Sequence, residues 1–186
     1  MIDAEAAFQV ALKFDKAANS LLNQGNNYQL LGEVYIALNR LEDAMVTSHK
    51  ALEFHRAEND AHGQGSDHLN FGKIYHCQDK LNEAESSLKK ALELHTAAED
   101  ALNQGHDCWK LGQIYMKIGQ LLNAKRMFEK AIDLHKKAQD SVCYVTVGTF
   151  FPTWDRGPMI TMLEEGSCVL SEKSQNAASI SSCVLS

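Results

Sequence analysis

Three histidines recur at a spacing of 40 residues, and histidine is the side chain that most often binds transition metals and transfers protons near neutral pH. They are His55, His95 and His135. Zinc requires ligand nitrogens about 2 Å from one ion, whereas equivalent positions on successive helix pairs lie about 10 Å apart, the usual distance between packed helices. The three histidines therefore cannot share one ion. Their repetition predicts a column on the surface of a repeat protein.

A second group of metal-binding side chains lies in the middle of the chain: His76 and Cys77, then His106 and Cys108. Their spacing matches no known zinc motif. The chain also contains no glycine-rich phosphate loop, no nucleophile elbow and no His-Glu-x-x-His motif. We therefore expect no metal site and no cofactor, and the sequence predicts a protein without enzymatic activity.

Charged side chains repeat with the same period, which predicts a solvated helix face and no catalytic pair. These are Lys50, Lys90, Lys130, Glu93 and Asp133.

The composition is that of a globular protein and favours helices. Hydrophobic residues are 45% and charged residues 23% of the 186 residues, which argues against a wholly disordered chain. Two prolines and 11 glycines provide few turn residues for a many-stranded sheet. A net charge of -6 offers no basic surface for nucleic acid. Five cysteines at irregular spacing indicate no disulfide framework, and no secretion signal is present, so we expect a cytoplasmic protein.

The sequence matches itself at a shift of 40 residues without a gap from Ala4 to Asp140, as in a repeat protein. Each unit contains two amphipathic patterns, helix A (27–38 in the first unit) and helix B (41–59), that can bury each other as an antiparallel pair. Gly32 and Ala44 leave room for the two backbones to approach. Turns are expected at Asn-Arg and at Gly-Gln-Gly, with a left-handed glycine where helix B ends. These glycines are Gly25, Gly65 and Gly105.

The motif at the centre of each unit resembles that of tetratricopeptide repeats. It reads Leu31-Gly32-x-x-Tyr35, Phe71-Gly72-x-x-Tyr75 and Leu111-Gly112-x-x-Tyr115, followed by Ala44, Ala84 or Ala124 and by Ala51, Ala91 or Ala131. The usual repeat has about 34 residues. The longer unit is similar to those of the polarity adaptor LGN, of kinesin light chains and of fungal arrays, with helix B extended by about six residues.

The resemblance implies an all-α, right-handed superhelical solenoid of antiparallel helix pairs, with three full units and an N-terminal half unit. The expected segments are a lone helix B in 1–25, repeat units at 26–65, 66–105 and 106–140, a non-repeat tail at 141–166, and a flexible serine-rich tail at 167–186.

The resemblance also implies that helices A line a concave groove that binds a peptide segment of a partner protein. The paired Lys or Arg and Asn of a dicarboxylate clamp are not found at the positions compared, and an apolar strip of Ile36, Leu69, Trp109 and Met116 indicates a ligand with apolar anchors. Packing of Trp109 against the rest of the chain is the alternative. The groove residues are Gln29, Glu33, Ile36, Leu69, Lys73, His76, Trp109, Gln113, Met116 and Lys117, flanked by Asn26, Ala37, Ser66, Cys77 and His106.

The sequence closes with Cys183-Val184-Leu185-Ser186, which fits the prenylation pattern and predicts a farnesyl group on Cys183. A single lipid gives only weak membrane association. Two alternatives stay open beside the peptide-binding adaptor. One is self-association as a homodimer through the unpaired first helix around Phe8, Leu12 and Phe14. The other is that the chain is one part of a larger signalling protein.

Overall fold

The computed structural model describes residues 2–138, with side chains from Glu5 onward, and this part of the chain folds into seven α-helices without a strand. The all-α prediction is confirmed. The helices are α1 (Ile2–Ala17), α2 (Leu21–Ala37), α3 (Leu41–Ala57), α4 (Ala61–Cys77), α5 (Leu81–Ala97), α6 (Ala101–Ile118) and α7 (Leu121–Lys137).

Each helix packs on its neighbours in the chain, as the predicted pairs require. The most extensive contacts join α2 to α3, α4 to α5 and α6 to α7, and smaller ones join α1 to α2, α3 to α4 and α5 to α6. Because connections of two or three residues cannot carry the chain back along a helix, neighbouring helices run antiparallel. Helix A of the three units is therefore α2, α4 and α6, and helix B is α3, α5 and α7.

The predicted turn at Gly-Gln-Gly is wrong, because Gly25, Gly65 and Gly105 lie inside helices. Helix A of the first unit begins at Leu21, six residues before the expected start, and helix B ends at Ala57. Helix A and helix B of this unit each have 17 residues, so the additional length of the 40-residue unit does not extend helix B alone. As a result, the expected unit boundaries after residues 25, 65 and 105 fall within α2, α4 and α6.

The chain turns at a left-handed residue after each helix from α1 to α6. These are Asn19, Asn39, Asn59, Asp79, Glu99 and Gly119, with φ from 51° to 82°. Asn and Asp tolerate this conformation better than other residues with a Cβ. After α2, Arg40 N donates to Tyr35 O at 2.9 Å and Asn39 N donates to Ile36 O at 3.0 Å, which satisfies carbonyls at the helix end.

The helical glycines serve close packing within each helix pair. A Cβ on Gly25 would lie 2.6 Å from His55 Nε2, and a Cβ on Gly32 would lie 3.0 Å from Ser48 Oγ. The same two contacts recur in the later units, between Gly65 and His95, Gly72 and Leu88, Gly105 and His135, and Gly112 and Phe128. The alanines opposite are fully buried, as at Ala44 and Ala51, so the prediction that small residues let the helices approach is confirmed.

Residues 139–186 lie outside the described part of the chain. The expectations for the tail at 141–166, for the serine-rich segment at 167–186 and for Cys183 fall there.

Candidate protein-binding surface

The three helices A form one row, since α4 contacts both α2 and α6. Two polar contacts join the first two. Asn70 Nδ2 donates to Gln29 O at 3.3 Å, and Lys73 Nζ lies 3.2 Å from Glu33 Oε1. The row therefore brings together predicted groove residues from adjacent units, and we call the side of α2, α4 and α6 that carries these residues the helix A surface.

Most of the predicted groove residues have side chains that solvent reaches. Half-buried residues are Gln29, Glu33, Ile36, Lys73, His76, His106, Trp109, Gln113 and Met116, and exposed residues are Asn26, Ala37, Cys77 and Lys117. Leu69 and Ser66 are buried, at 6% and 7% exposure. The expected apolar strip therefore lacks Leu69, because that side chain packs into the core.

Trp109 packs against helix B of its own unit. Its ring centroid lies 4.9 Å from that of Phe128, in an edge-to-face arrangement that is favourable for aromatic pairs. Phe128 in turn fills the space opposite Gly112. The structure therefore supports the packing interpretation of Trp109, although the ring stays half-exposed.

Sequence reasoning missed two residues at one position of the helix A surface, Leu30 and Lys110. Leu30 is 43% exposed, and Lys110 Nζ donates to Gln113 Oε1 at 3.3 Å. The equivalent residue in the second unit, Asn70, is fully buried and accepts a bond from Lys73 Nζ at 3.1 Å. Leu30 could have been found, because position 30 is about one helical turn from the predicted groove residues Asn26 and Glu33.

The third unit concentrates positive charge on the helix A surface. Burial lowers the pKa of Lys110, and the charge of Lys73 lowers it further. The pKa of His76 is lowered by burial first and then by Lys117 and Lys110, so His76 is neutral at pH 7. Lys117 Nζ lies 3.4 Å from Asp79 Oδ1. This surface can therefore bind apolar groups beside hydrogen-bond acceptors or carboxylates.

The predicted surface column of histidines is wrong. His55, His95 and His135 are buried, with at most 1% exposure. His55 Nδ1 lies 2.6 Å from Asp67 Oδ2, and His95 Nδ1 lies 2.6 Å from Asp107 Oδ2. Each pair joins helix B of one unit to helix A of the next. The signal in the sequence was an Asp twelve residues after each of these two histidines.

The His95 pair extends into a chain that has the order of a hydrolase triad, because Ser66 Oγ lies 3.4 Å from His95 Nε2. The equivalent position at His55 is Asn26, whose Oδ1 lies 3.2 Å from His55 Nε2. Because Asn occupies this position in the first unit, the position does not require a nucleophile, and Ser66 is buried. We therefore interpret both hydrogen-bonded series, Asn26-His55-Asp67 and Ser66-His95-Asp107, as links between units.

The first junction uses different residues at the same register. Asp15 and Asn27 replace His and Asp, and Asn27 Nδ2 donates to Asp15 Oδ2 at 2.5 Å. Burial raises the pKa of Asp67 to about 6 and also raises the pKa of Asp107, in each case against the lowering effect of the histidine. The His-Asp junctions thus contain carboxyl groups that protonate more readily than an ordinary Asp.

Residues 2–138 contain no group of three or more His, Cys, Asp or Glu side chains that could hold a metal ion. Cys77 is exposed and Cys108 is buried, and burial raises the pKa of the Cys108 thiol to about 11. The prediction of a solvated charged face is confirmed, since all five of its residues are exposed. They are Lys50, Lys90, Lys130, Glu93 and Asp133.

A family model for the tetratricopeptide repeat matches residues 68–95 and 108–137. These two matches support the tetratricopeptide repeat family. Repeats of this family generally form protein-protein interaction modules. Curated protein sequences gave no match to the chain. None of the helices in the described segment has the length and apolar character needed to cross a membrane.

Proposed function

We propose that the chain is a non-enzymatic interaction module that binds a peptide segment of a partner protein on the helix A surface. The observation that supports this most directly is that α2, α4 and α6 lie side by side in one row, and that each of these helices has side chains accessible to solvent on the helix A surface. Examples are Glu33, Lys73 and Lys117. The two tetratricopeptide matches include parts of α4 and α6.

The chemistry of the surface defines the ligand that we expect. Leu30 and Ile36 in the first unit and Met116 in the third present apolar area, which suits apolar anchors on the peptide. Lys110 and Gln113 lie on α6, the helix that also carries Met116, and can bind carbonyl or carboxylate oxygens of the ligand. We propose a peptide with apolar side chains for both patches and an acidic or polar group beside the part that contacts α6.

A matched pair of charge reversals tests this assignment. Lys117 lies on the helix A surface and Lys90 lies on helix B of the second unit, and their side chains are 41% and 53% exposed. Peptides selected from a random library against the full chain should bind the Lys117→Glu variant at least about tenfold more weakly, a loss typical of one important interface contact. Binding to the Lys90→Glu variant should be unchanged.

The measurement is titration calorimetry or fluorescence anisotropy with the selected peptides. Met116→Asp provides a second test of the surface through its apolar part, with folding checked by circular dichroism. Equal affinity of all selected peptides for the Lys117→Glu, Met116→Asp and Lys90→Glu variants would contradict the proposal.

A further inference from the structure

The three junctions, α1 with α2, α3 with α4 and α5 with α6, can be compared residue by residue, because they have the same register. Near the connecting turn each is joined by one of the pairs described above, Asp15 and Asn27, His55 and Asp67, or His95 and Asp107. The far end of each junction lies ten residues earlier in the first helix, about 15 Å away along its axis. Polar contacts at both ends prevent one helix from pivoting on the other, whereas a contact at one end leaves this motion open.

The first and third junctions have a hydrogen bond at the far end. Tyr35 Oη donates to Glu5 Oε1 at 2.7 Å, and Tyr115 Oη donates to Glu85 Oε1 at 3.0 Å. Both tyrosines are buried, at 7% exposure. Because hydrogen bonds to charged groups are stronger than those between neutral groups, these bonds hold the far ends of both junctions together.

The second junction, between α3 and α4, lacks this bond. The register of the two other junctions places Met45 opposite Tyr75, and a thioether is only a weak acceptor. The Tyr75 hydroxyl donates to none of the described residues. Tyr75 is also half-buried, whereas the two equivalent tyrosines are buried. The second junction is therefore joined by a buried polar pair at one end only.

The same end of α4 contains an unsatisfied polar group. Gln78 follows α4 directly, and its Oε1 atom is buried without a hydrogen-bond partner among the described residues. The equivalent residues of the first and third units are apolar, Leu38 and Ile118. Because a buried acceptor without a donor is unfavourable, the C-terminal end of α4 is less stably packed than those of α2 and α6.

Two contacts between α2 and α4 also join the first and second units, but neither holds the far end of the second junction. Lys73 and Glu33 form an ion pair whose side chains are 26% and 42% exposed, and such pairs contribute little. Asn70 Nδ2 donates to Gln29 O at 3.3 Å. Asn70 is about one helical turn from Asp67, so this bond constrains α4 near the buried His-Asp pair.

We propose that the second junction is the hinge of the array. At this hinge α4 pivots about the buried His-Asp pair and separates from α3 at Met45 and Tyr75, while the first and third junctions stay rigid. The motion changes the distance between Ile36 in the first unit and Met116 in the third, and with it the curvature of the helix A surface. The hinge is a property of the fold and does not depend on the ligand that the surface binds.

Distances between spin labels across the far ends test the hinge in the full chain. One label pair replaces Glu42 and Lys80, across the second junction, and the matched pair replaces Asn82 and Gln120, across the third; all four positions are exposed. The labels are attached to unnatural amino acids, so that the native cysteines stay in place. Double electron-electron resonance should give an at least about twofold broader distance distribution for the second junction, because a hinge populates more than one arrangement.

Removal of one tyrosine hydroxyl at a time provides a matched pair of variants. Tyr115→Phe removes the bond to Glu85 and should broaden the distribution at the third junction by at least about twofold, because the far end is then no longer held. Tyr75→Phe removes no bond to a described residue and should leave both distributions unchanged. Met45→Glu supplies an acceptor and should narrow the second junction to the width of the third, an effect that Tyr75→Phe should abolish.

Three results would overturn the proposal. The first is equal width of the two distributions in the unaltered chain. The second is a third junction that stays narrow in Tyr115→Phe, since the far-end bond would then not determine rigidity. The third is narrowing by Met45→Glu that persists in the Tyr75→Phe background. Circular dichroism checks that each variant is folded, and Tyr115→Phe keeps the buried ring, so the test does not depend on the folding of Met45→Glu.

Discussion

The buried pair of His95 and Asp107 should be a major source of cohesion between the second and third units, and Asp107→Ala tests this. The substitution removes the acceptor 2.6 Å from His95 Nδ1 and leaves a buried polar group unsatisfied, which costs about 1–3 kcal/mol. Part of this loss is offset, because the substitution also removes a carboxyl group that is unfavourably buried. Asp107 Oδ1 has no hydrogen-bond partner among the described residues, and burial raises the pKa of the carboxyl group.

We therefore expect the free energy of unfolding to fall by about 2 kcal/mol and Tm to fall by about 4–8 °C. The effect should be local, because units of a repeat array contact only their neighbours. Amide exchange in α6 and α7 should accelerate more than exchange in α2 and α3. Urea denaturation gives the magnitude, and hydrogen exchange with mass spectrometry gives the location.

Asp133→Ala is the matched control, since Asp133 lies on α7 with its side chain 80% exposed and should change stability by less than about 0.5 kcal/mol. If Asp107→Ala also changed stability by less than this, or accelerated exchange equally in all helices, the pair would not be an inter-unit link. A double-mutant cycle with His95→Ala should give a coupling free energy above about 0.5 kcal/mol.

Three further predictions follow from burial and packing. Gly112→Ala should lower Tm, because its Cβ would lie 2.6 Å from the Phe128 ring. Gly32→Ala should lower Tm less, because its Cβ would lie 3.0 Å from the small Ser48 side chain. Thermal unfolding measures the Tm of both variants. The carboxyl carbon of Asp67 should titrate near pH 6 in NMR, since burial raises its pKa to about 6. Between the ordinary Asp pKa near 4 and this raised value, the folded state binds one more proton than the unfolded state. The contribution of Asp67 to the free energy of unfolding should therefore decrease as pH rises through this window, and the Asp67→Asn variant should lack this pH dependence. Iodoacetamide should alkylate Cys77 in the native protein and spare Cys108, whose thiol is buried and has a pKa of about 11. Mass spectrometry measures the two alkylation rates, and faster alkylation of Cys108 would contradict this prediction.

The fold could be predicted from the sequence to a large extent, because the repeat supplies the same pattern several times. The Leu-Gly-x-x-Tyr motif, the buried alanines and the 40-residue period were sufficient for paired helices. The start of helix A was missed because Gly25 was interpreted as a turn residue. A glycine that ends a helix and a glycine that admits a neighbouring ring look the same in one sequence, and only the position of His55 distinguishes them.

The candidate binding surface was predicted less completely. Glu33 and Lys73 were placed on the same surface, and the structure brings them to 3.2 Å. Leu69 was misplaced because an offset along a helix does not show which side faces the core, and the accessible residues Leu30 and Lys110 were omitted. The histidines were placed at the surface because their Asp partners come from the next unit, and a pattern within one unit cannot show contacts across a junction.

The junctions also determine which recombination events the gene could undergo. Loss of residues 61–100 would join α3 to α6 and place His55 opposite Asp107, which recreates the pair found at both later junctions. Loss of residues 21–60 would instead place Asp15 opposite Asp67. Two carboxylates at one partly buried junction repel each other unless one is protonated. Deletion of the second unit should therefore preserve a favourable junction, whereas deletion of the first should create an unfavourable one, and the pair of Asp15 and Asn27 favours the first unit at the position next to α1.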